Sequence, residues 1–297
     1  MHIEIVDQSW YTGRVLHYAE KKAKTLLNPT GGFLSTFTHS INVYQGCAFG
    51  RNTTNGQGCP YCYVREMPIA KFAPHQWGDW VTAKTNAPDL LALELAKQKS
   101  AGRLDQLRIF MSTATDPYQG VESKLKLTRA VLEIFLEFPV GLLVVQTRSP
   151  MIERDIDLLK DMRDFLWISI TIETDDDAVR KTLTPTSPSV DRRLAVLERL
   201  HGAELRVQAA ISPMLPCDPD RFAELLNPRC TRALVDTFAG DGLGGKRTEA
   251  LGVPALMRNL GYGDWLTNNQ HEKLLDALKR TLGPDRVVFS QEGFNQF

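Results

Sequence analysis

From residue 89 onward the chain alternates between short runs of β-branched or large apolar residues and longer stretches with helical spacing. Nothing else in the sequence constrains the fold as tightly. The spacing predicts helices over 89–101, 124–138, 152–164, 190–201 and 219–226, and strands over 107–111, 140–146, 166–172, 205–211 and 231–237. The run 140–146 is continuously apolar, as a strand buried on both faces would be. An apolar-leaning segment at 40–44 adds a sixth strand ahead of them. Repeated βα units close best as a parallel sheet with helices outside, and six strands predict a partial (β/α)6 barrel of the TIM type. The fold class is therefore α/β in three parts: a short N-terminal arm (1–39), the partial barrel (40–239) and a C-terminal α/β extension (240–297). The arm carries one helical candidate, 16–27, stopped by Asn28-Pro29 and Gly31-Gly32. The extension has a glycine-rich loop at 240–247, helical stretches at 248–260 and 268–282, and a strand at 286–289; it is read as closing one end of the barrel.

Composition narrows the function classes. With 35 Lys+Arg against 35 Asp+Glu in 297 residues, the chain is neither a strongly basic nucleic-acid binder nor a disordered acidic chain, although a local basic groove is compatible with that balance. No run of eighteen apolar residues predicts a membrane span, and the first residues do not read as a signal peptide, so the expected location is cytoplasmic. Five cysteines, an odd number, argue against a disulfide framework.

Three of those cysteines, Cys47, Cys59 and Cys62, form a Cys-x11-Cys-x2-Cys cluster on a loop behind the first barrel strand. Gly50, Asn52, Asn55, Gly56 and Gly58 between the first two make that stretch a loop. A Cys-x2-Cys pair can place both sulfurs on one zinc ion or on two corners of an iron–sulfur cluster, and spacing alone does not choose. Structural zinc wants a fourth protein ligand, and none follows Cys62 until His75. Three thiolates suit a 4Fe–4S cluster with one open iron.

These residues and three later blocks carry a resemblance. Gly46-Cys47 and Cys59-Pro60-Tyr61-Cys62-Tyr63 resemble the cluster loop of the radical S-adenosylmethionine (SAM) superfamily, with Tyr61 as the aromatic before the third cysteine. Asn42-Val43-Tyr44-Gln45-Gly46-Cys47 resembles the NPYRGC approach of its spore-photoproduct-lyase-like branch. Thr115-Asp116-Pro117-Tyr118-Gln119-Gly120-Val121-Glu122 with Leu127-Thr128-Arg129 resembles that branch's TDPYQPxE and LTR segments; the stretch from Thr147 to Leu159 resembles TKSxLIxRDIDLL. Two departures stand out. The branch mostly has three residues, not eleven, between its first two cysteines, and the stretch Phe110 to Ala114 lacks the hydrogen-donor cysteine of the lyase itself.

The resemblance implies an enzyme that reductively cleaves SAM at a 4Fe–4S cluster held by Cys47, Cys59 and Cys62, giving a 5′-deoxyadenosyl radical that abstracts hydrogen. It implies an electron donor such as flavodoxin or ferredoxin and a substrate of unidentified class, nucleic acid among those allowed. A zinc-stabilised binding protein on the same barrel is the alternative. The cofactor-binding residues it implies lie at strand ends: Ser112 and Thr113 near the methionine amino group, Arg148 at the carboxylate or ribose, Ser169 and Glu173 at the ribose, Arg193 (with Arg180) at the carboxylate, and Met214 and Tyr61 at the adenine. Other features read more simply. Cys217 and Cys230 read as buried free cysteines, the acidic run 173–177 as a helix cap at Thr174 or Asp175 with solvated neighbours, and Trp77, Trp80 and Trp265 as packing residues. Asp116 and Tyr118 read equally as pocket residues or turn formers.

Overall fold

A computed structural model describes residues 3–5, 16–49, 58–238, 245–266 and 270–297. Its main sheet has eight strands: β3 (Asn28–Pro29), β4 (His39–Ile41), β7 (Arg108–Met111), β8 (Leu142–Thr147), β9 (Leu166–Thr171), β10 (Val207–Ile211), β11 (Arg232–Val235) and β12 (Val287–Phe289), hydrogen-bonded in that order. All are parallel except β3, which runs antiparallel to β4. The six strands expected from the βα alternation are β4 and β7 to β11, and the architecture is a partial TIM-type barrel.

Alternation along each strand sorts side chains between two layers. Ile109, Met111, Leu143, Val145, Ile168 and Ile170 face outward into the main core, against α2 (Ala87–Ser100), α4 (Leu127–Glu137) and α7 (Val190–Gly202), whose Leu91, Leu95, Val131, Phe135, Leu197 and Leu200 are fully buried. Phe110, Leu142, Val144 and Leu234 point inward with Phe37 and Phe294 to fill the lower barrel. On the same inward face runs a polar row of register partners, Gln146, Ser169, Gln208 and Arg232, joined by hydrogen bonds of 3.2, 3.0 and 2.7 Å. Helix starts are capped as their sequences ask: Ser189 accepts from Arg192 N and Asp218 from Arg221 N at α8 (Pro219–Leu226).

The arm and the extension each lend a strand to this sheet, β3 and β12 at its two edges. The opening between those edges is spanned by α12 (Ser290–Asn295): Asn295 accepts from Thr36 N at 3.0 Å and donates to Phe33 O at 2.9 Å, and Phe294 meets Phe33 edge-on at 5.3 Å. Residues 16–27 differ from expectation. Instead of a helix they hold β2 (Leu16–Lys21), which pairs with β1 (Ile3–Ile5) and in parallel with β6 (Trp80–Lys84), itself bound to β5 (Tyr44–Gln45), in a separate four-stranded sheet. A ladder with a strand some sixty residues away outweighs local helical spacing.

Candidate functional site

One cavity of about 590 Å³ occupies the C-terminal face and upper interior of the barrel. Residues just past β4, β7, β8, β10 and β11 line it, the position where barrels of this type carry chemistry. Cys47, Cys59 and Cys62 all lie on its wall, with Tyr61, Ser112, Thr113, Asp116 and Arg148. The polar insertion at 50–57, including its Asn52-Thr53-Thr54 sequence, and the glycine-rich stretch at 239–244 fall outside the described residues.

The approach to Cys47 is fixed by the segment that follows β7. Gly46 has φ +75°, and a Cβ there would sit 2.3 Å from the Trp80 carbonyl oxygen, so only glycine fits. The Gly46 carbonyl accepts from the Thr115 hydroxyl, and Gln119 accepts from Ala48 N at 3.0 Å while donating to Thr115 at 3.1 Å. Glu122, fully buried, accepts from the Tyr44 hydroxyl, from Thr128 N at 2.9 Å and from Arg154 at 2.7 Å. Arg154 and Arg129 both reach Asp155, and Arg129 reaches Asp157. The three blocks that carry the family resemblance are thus one interlocked hydrogen-bond system beneath the cysteine loop.

Asp116 joins two strand ends. It accepts from the Thr147 hydroxyl at 2.6 Å, from Arg148 N at 2.9 Å and from Tyr118 N at 2.8 Å, and burial pushes its carboxyl upward against those three donors. It is both a turn former and a cavity residue, whereas Tyr118 is buried beside Arg154 and is not among the residues lining this cavity. The Arg148 side chain carries on toward the cysteines: its guanidinium donates to Cys59 Sγ at 3.4 Å and to Ser187 at 3.3 Å, and pairs with Glu173 at 3.1 Å. Glu173 also accepts from Arg193 at 2.5 Å and from the Tyr61 hydroxyl at 3.2 Å. Burial works to raise the Glu173 carboxyl, but the two guanidinium groups prevail and hold it at about 2.

Each cysteine sulfur is faced by an N–H group. The Phe49 amide faces Cys47, the Val64 amide and the Trp77 indole face Cys62, and Arg148 faces Cys59. Burial pushes the free thiols up, Cys47 to about 12 and Cys59 to about 11, so protons must leave as a metal centre arrives. Donors aimed at sulfur are the surroundings a thiolate ligand requires, and on that ground the three residues fit an iron–sulfur cluster. Among the described residues no three His, Cys, Asp or Glu side chains are gathered closely enough to hold a single metal ion.

Of the residues expected to contact cofactor, the cavity brings together Ser112, Thr113, Arg148 and Tyr61. Ser112 holds φ +92° with its amide on Ile41 O, and Thr113 accepts from Asn42 at 2.9 Å. The other four do not line it. Ser169 lies in the polar row below, Glu173 and Arg193 stand behind the wall as the clamp on Arg148, and Met214 is in the outer core. Arg180 is committed to Asp177 and to the carbonyls of Thr184, Pro185 and Ser187, so it buttresses a loop and does not reach the cavity. The acidic run differs from expectation: Asp176, not Thr174 or Asp175, caps α6 (Asp177–Leu183), and Glu173, Thr174 and Asp175 are buried instead of solvated, Asp175 paired with Arg221. Cys230 is fully buried, with its thiol on Leu226 O, and Cys217 is half-buried. Sequence reasoning passed over Thr115, Gln119 and Glu122 as loop supports, and over Asp236 and Phe238 on the far wall, where Arg247 also stands. The first three lay inside the quoted blocks; nothing local marks the others.

The radical SAM superfamily pattern matches residues 41–227, well over half of the chain. The chain belongs to the radical SAM superfamily. Its cofactors are accordingly a 4Fe–4S cluster and SAM, and it is a radical SAM enzyme, a class that needs an electron donor and a substrate. An uncharacterized protein of Methanocaldococcus jannaschii is 32% identical over 195 residues, 66% of each chain, and one from Acidianus two-tailed virus is 25% identical over 174 residues, 56% of this chain and 54% of its own. The matches therefore span two thirds to about half of these relatives' length. Among solved structures, a cysteine-to-serine variant of spore photoproduct lyase superposes with a TM-score of 0.61 at 14% identity, over 92% of this chain and 81% of that one. A further variant of that lyase, with bound SAM and dinucleoside spore photoproduct, also gives 0.61, at 12% identity over the same shares. These likenesses establish the fold. No helix among the described residues is long and apolar enough to cross a membrane.

Proposed function

We propose that Cys47, Cys59 and Cys62 hold the 4Fe–4S cluster and that SAM binds beside it against Ser112, Thr113, Arg148 and Tyr61. The observation that carries this reading is the convergence of the three thiols on one wall of the cavity that those four residues also line. When bound, cluster and SAM supply a one-electron cleavage of the sulfonium to methionine and a 5′-deoxyadenosyl radical, which takes a hydrogen atom from the substrate.

The chain's own residues position and enclose. Arg148 is a fixed cation for a carboxylate or ribose, held by Glu173 and by Asp116 through its backbone. The Thr113 side chain, on the cavity wall, offers an acceptor for an ammonium group. Glu173 and Arg193 act from behind the wall. Phe110, Phe238 and Phe294 keep the deeper cavity apolar and exclude water from the reacting region.

The electron donor is a small low-potential protein of the flavodoxin or ferredoxin kind. For the substrate, a nucleic-acid-related compound is supported by the dinucleoside bound in the fold's solved relatives and by Arg247 at the cavity wall beside Lys246. A chain of zero net charge favours a short or small ligand of this kind over a long duplex. Iron and sulfide analysis after anaerobic reconstitution tests the cysteine assignment. Close to four irons per chain are expected in the wild type and a severe loss in Cys47→Ala, Cys59→Ala and Cys62→Ala; stoichiometric zinc with a full iron complement unattainable would favour the zinc-stabilised alternative. Oligonucleotide binding that fails even at low salt would remove the nucleic-acid reading.

A further inference from the structure

Of the N–H groups that face the three cysteine sulfurs, two are backbone amides and one is the neutral Trp77 indole; the donor on Cys59 alone is charged. Arg148 places its guanidinium 3.4 Å from that sulfur, and the side chain is only 16% exposed. The contact is held rather than incidental. Glu173 anchors the other guanidinium nitrogen at 3.1 Å, and Arg193 anchors Glu173 at 2.5 Å. Asp116 fixes the backbone from which the side chain departs. The group Arg148, Glu173 and Arg193 carries two positive charges and one negative, so it presents a net positive charge to the cysteine wall from a site sheltered from solvent screening.

The geometry points to Arg148 as a tuning residue that raises the reduction potential of the cluster through the Cys59 sulfur, with Glu173 setting how much of its charge is felt. The inference rests on the cluster assignment above and deepens it. Reduction by one electron, delivered by a low-potential donor, leaves the cluster one unit more negative. A cation and an N–H donor at a ligating sulfur stabilise that reduced form more than the oxidised one, which moves the potential upward. The carboxylate of Glu173 acts in the opposite direction. Removing each partner singly must therefore shift the potential with opposite sign, an outcome that general loosening of the wall would not produce.

The test is a redox titration of the reconstituted holoenzyme without SAM, poised with dithionite or titanium(III) citrate and followed by the electron paramagnetic resonance signal of the reduced cluster. Arg148→Met is expected to lower the reduced-to-oxidised ratio at a fixed potential about tenfold, a fall of about 59 mV. Glu173→Gln is expected to raise that ratio several-fold. Should Arg148→Met assemble no cluster, Arg148→Gln, which keeps an N–H donor without the charge, takes its place and is expected to fall as well. Arginine variants that carry full iron and titrate with the wild type overturn the inference while leaving the cluster assignment standing. A wild type that binds no cluster overturns the assignment itself.

Discussion

Glu173 is 1% exposed and carries three contacts that define the back of the site: Arg148, Arg193 and Tyr61. Arg193 is itself fully buried, with Nε and Nη2 lacking any hydrogen-bond partner, so its charge leans on this one carboxylate and on the Thr171 carbonyl. Glu173→Gln leaves two buried guanidinium groups without their counter-charge, and breaking such a pair typically costs about 3–5 kcal/mol. Denaturant unfolding reads this directly; a loss below about 1 kcal/mol would show that the clamp is not what holds Arg148. The pH dependence has a fixed sign. Because the carboxyl is held at about 2 against its usual 4.5, its contribution is fully present above 4.5 and drains as pH falls toward 2, so the gap between wild type and variant should narrow across that window. The sequence exposed these residues only as polar positions near strand ends. Which of them face the cavity and which stand behind it follows from the pleat of β9 and the rotation of α7, and both are set by packing partners far along the chain.

At the scale of elements, the connection after β7 is the mount for the cysteine loop. Gln119 is fully buried and satisfies Ala48 N, which no other described group reaches. Gln119→Leu keeps the volume and removes all three side-chain hydrogen bonds, to Ala48 N, Thr115 and Gly46 O, at an expected cost of about 1–3 kcal/mol for the orphaned amide, together with faster loss of iron to a chelator. Ser123→Ala, on an exposed turn of the same connection, should stay within about 0.5 kcal/mol and retain its iron. Chelator release that is equal in the two variants would detach the connection from the loop. The five later βα units were legible because each carries its own period, apolar runs for strands and 3.6-residue spacing for helices. Others were not, the second sheet's β1 and β6 and the closing α12 among them. The run 16–27 has helical spacing but becomes β2 through its ladder to β6; β3 and the contribution of β12 to the main sheet depend on edges that only a folded barrel presents.

Taken whole, the molecule puts three thiols, a held arginine and a polar turn around one cavity at the C-terminal face of a partial barrel, and closes the side of that barrel with its own α12. The cysteine spacing was plain in the sequence, and so was the choice of barrel. What the cavity accepts was not, because its far wall comes from residues 236–238 and 247–248, which carry no motif and meet the cysteines only in three dimensions. The neutral total charge still directs attention to local contacts such as Arg247. The central claim is that this cavity performs reductive SAM cleavage, and the most direct measurement is 5′-deoxyadenosine formed by reconstituted protein with SAM and dithionite under anaerobic conditions. Formation by the wild type, abolished in Cys62→Ala with the fold preserved by circular dichroism, is the predicted result; a wild type carrying a full cluster that yields no 5′-deoxyadenosine under these conditions would contradict it.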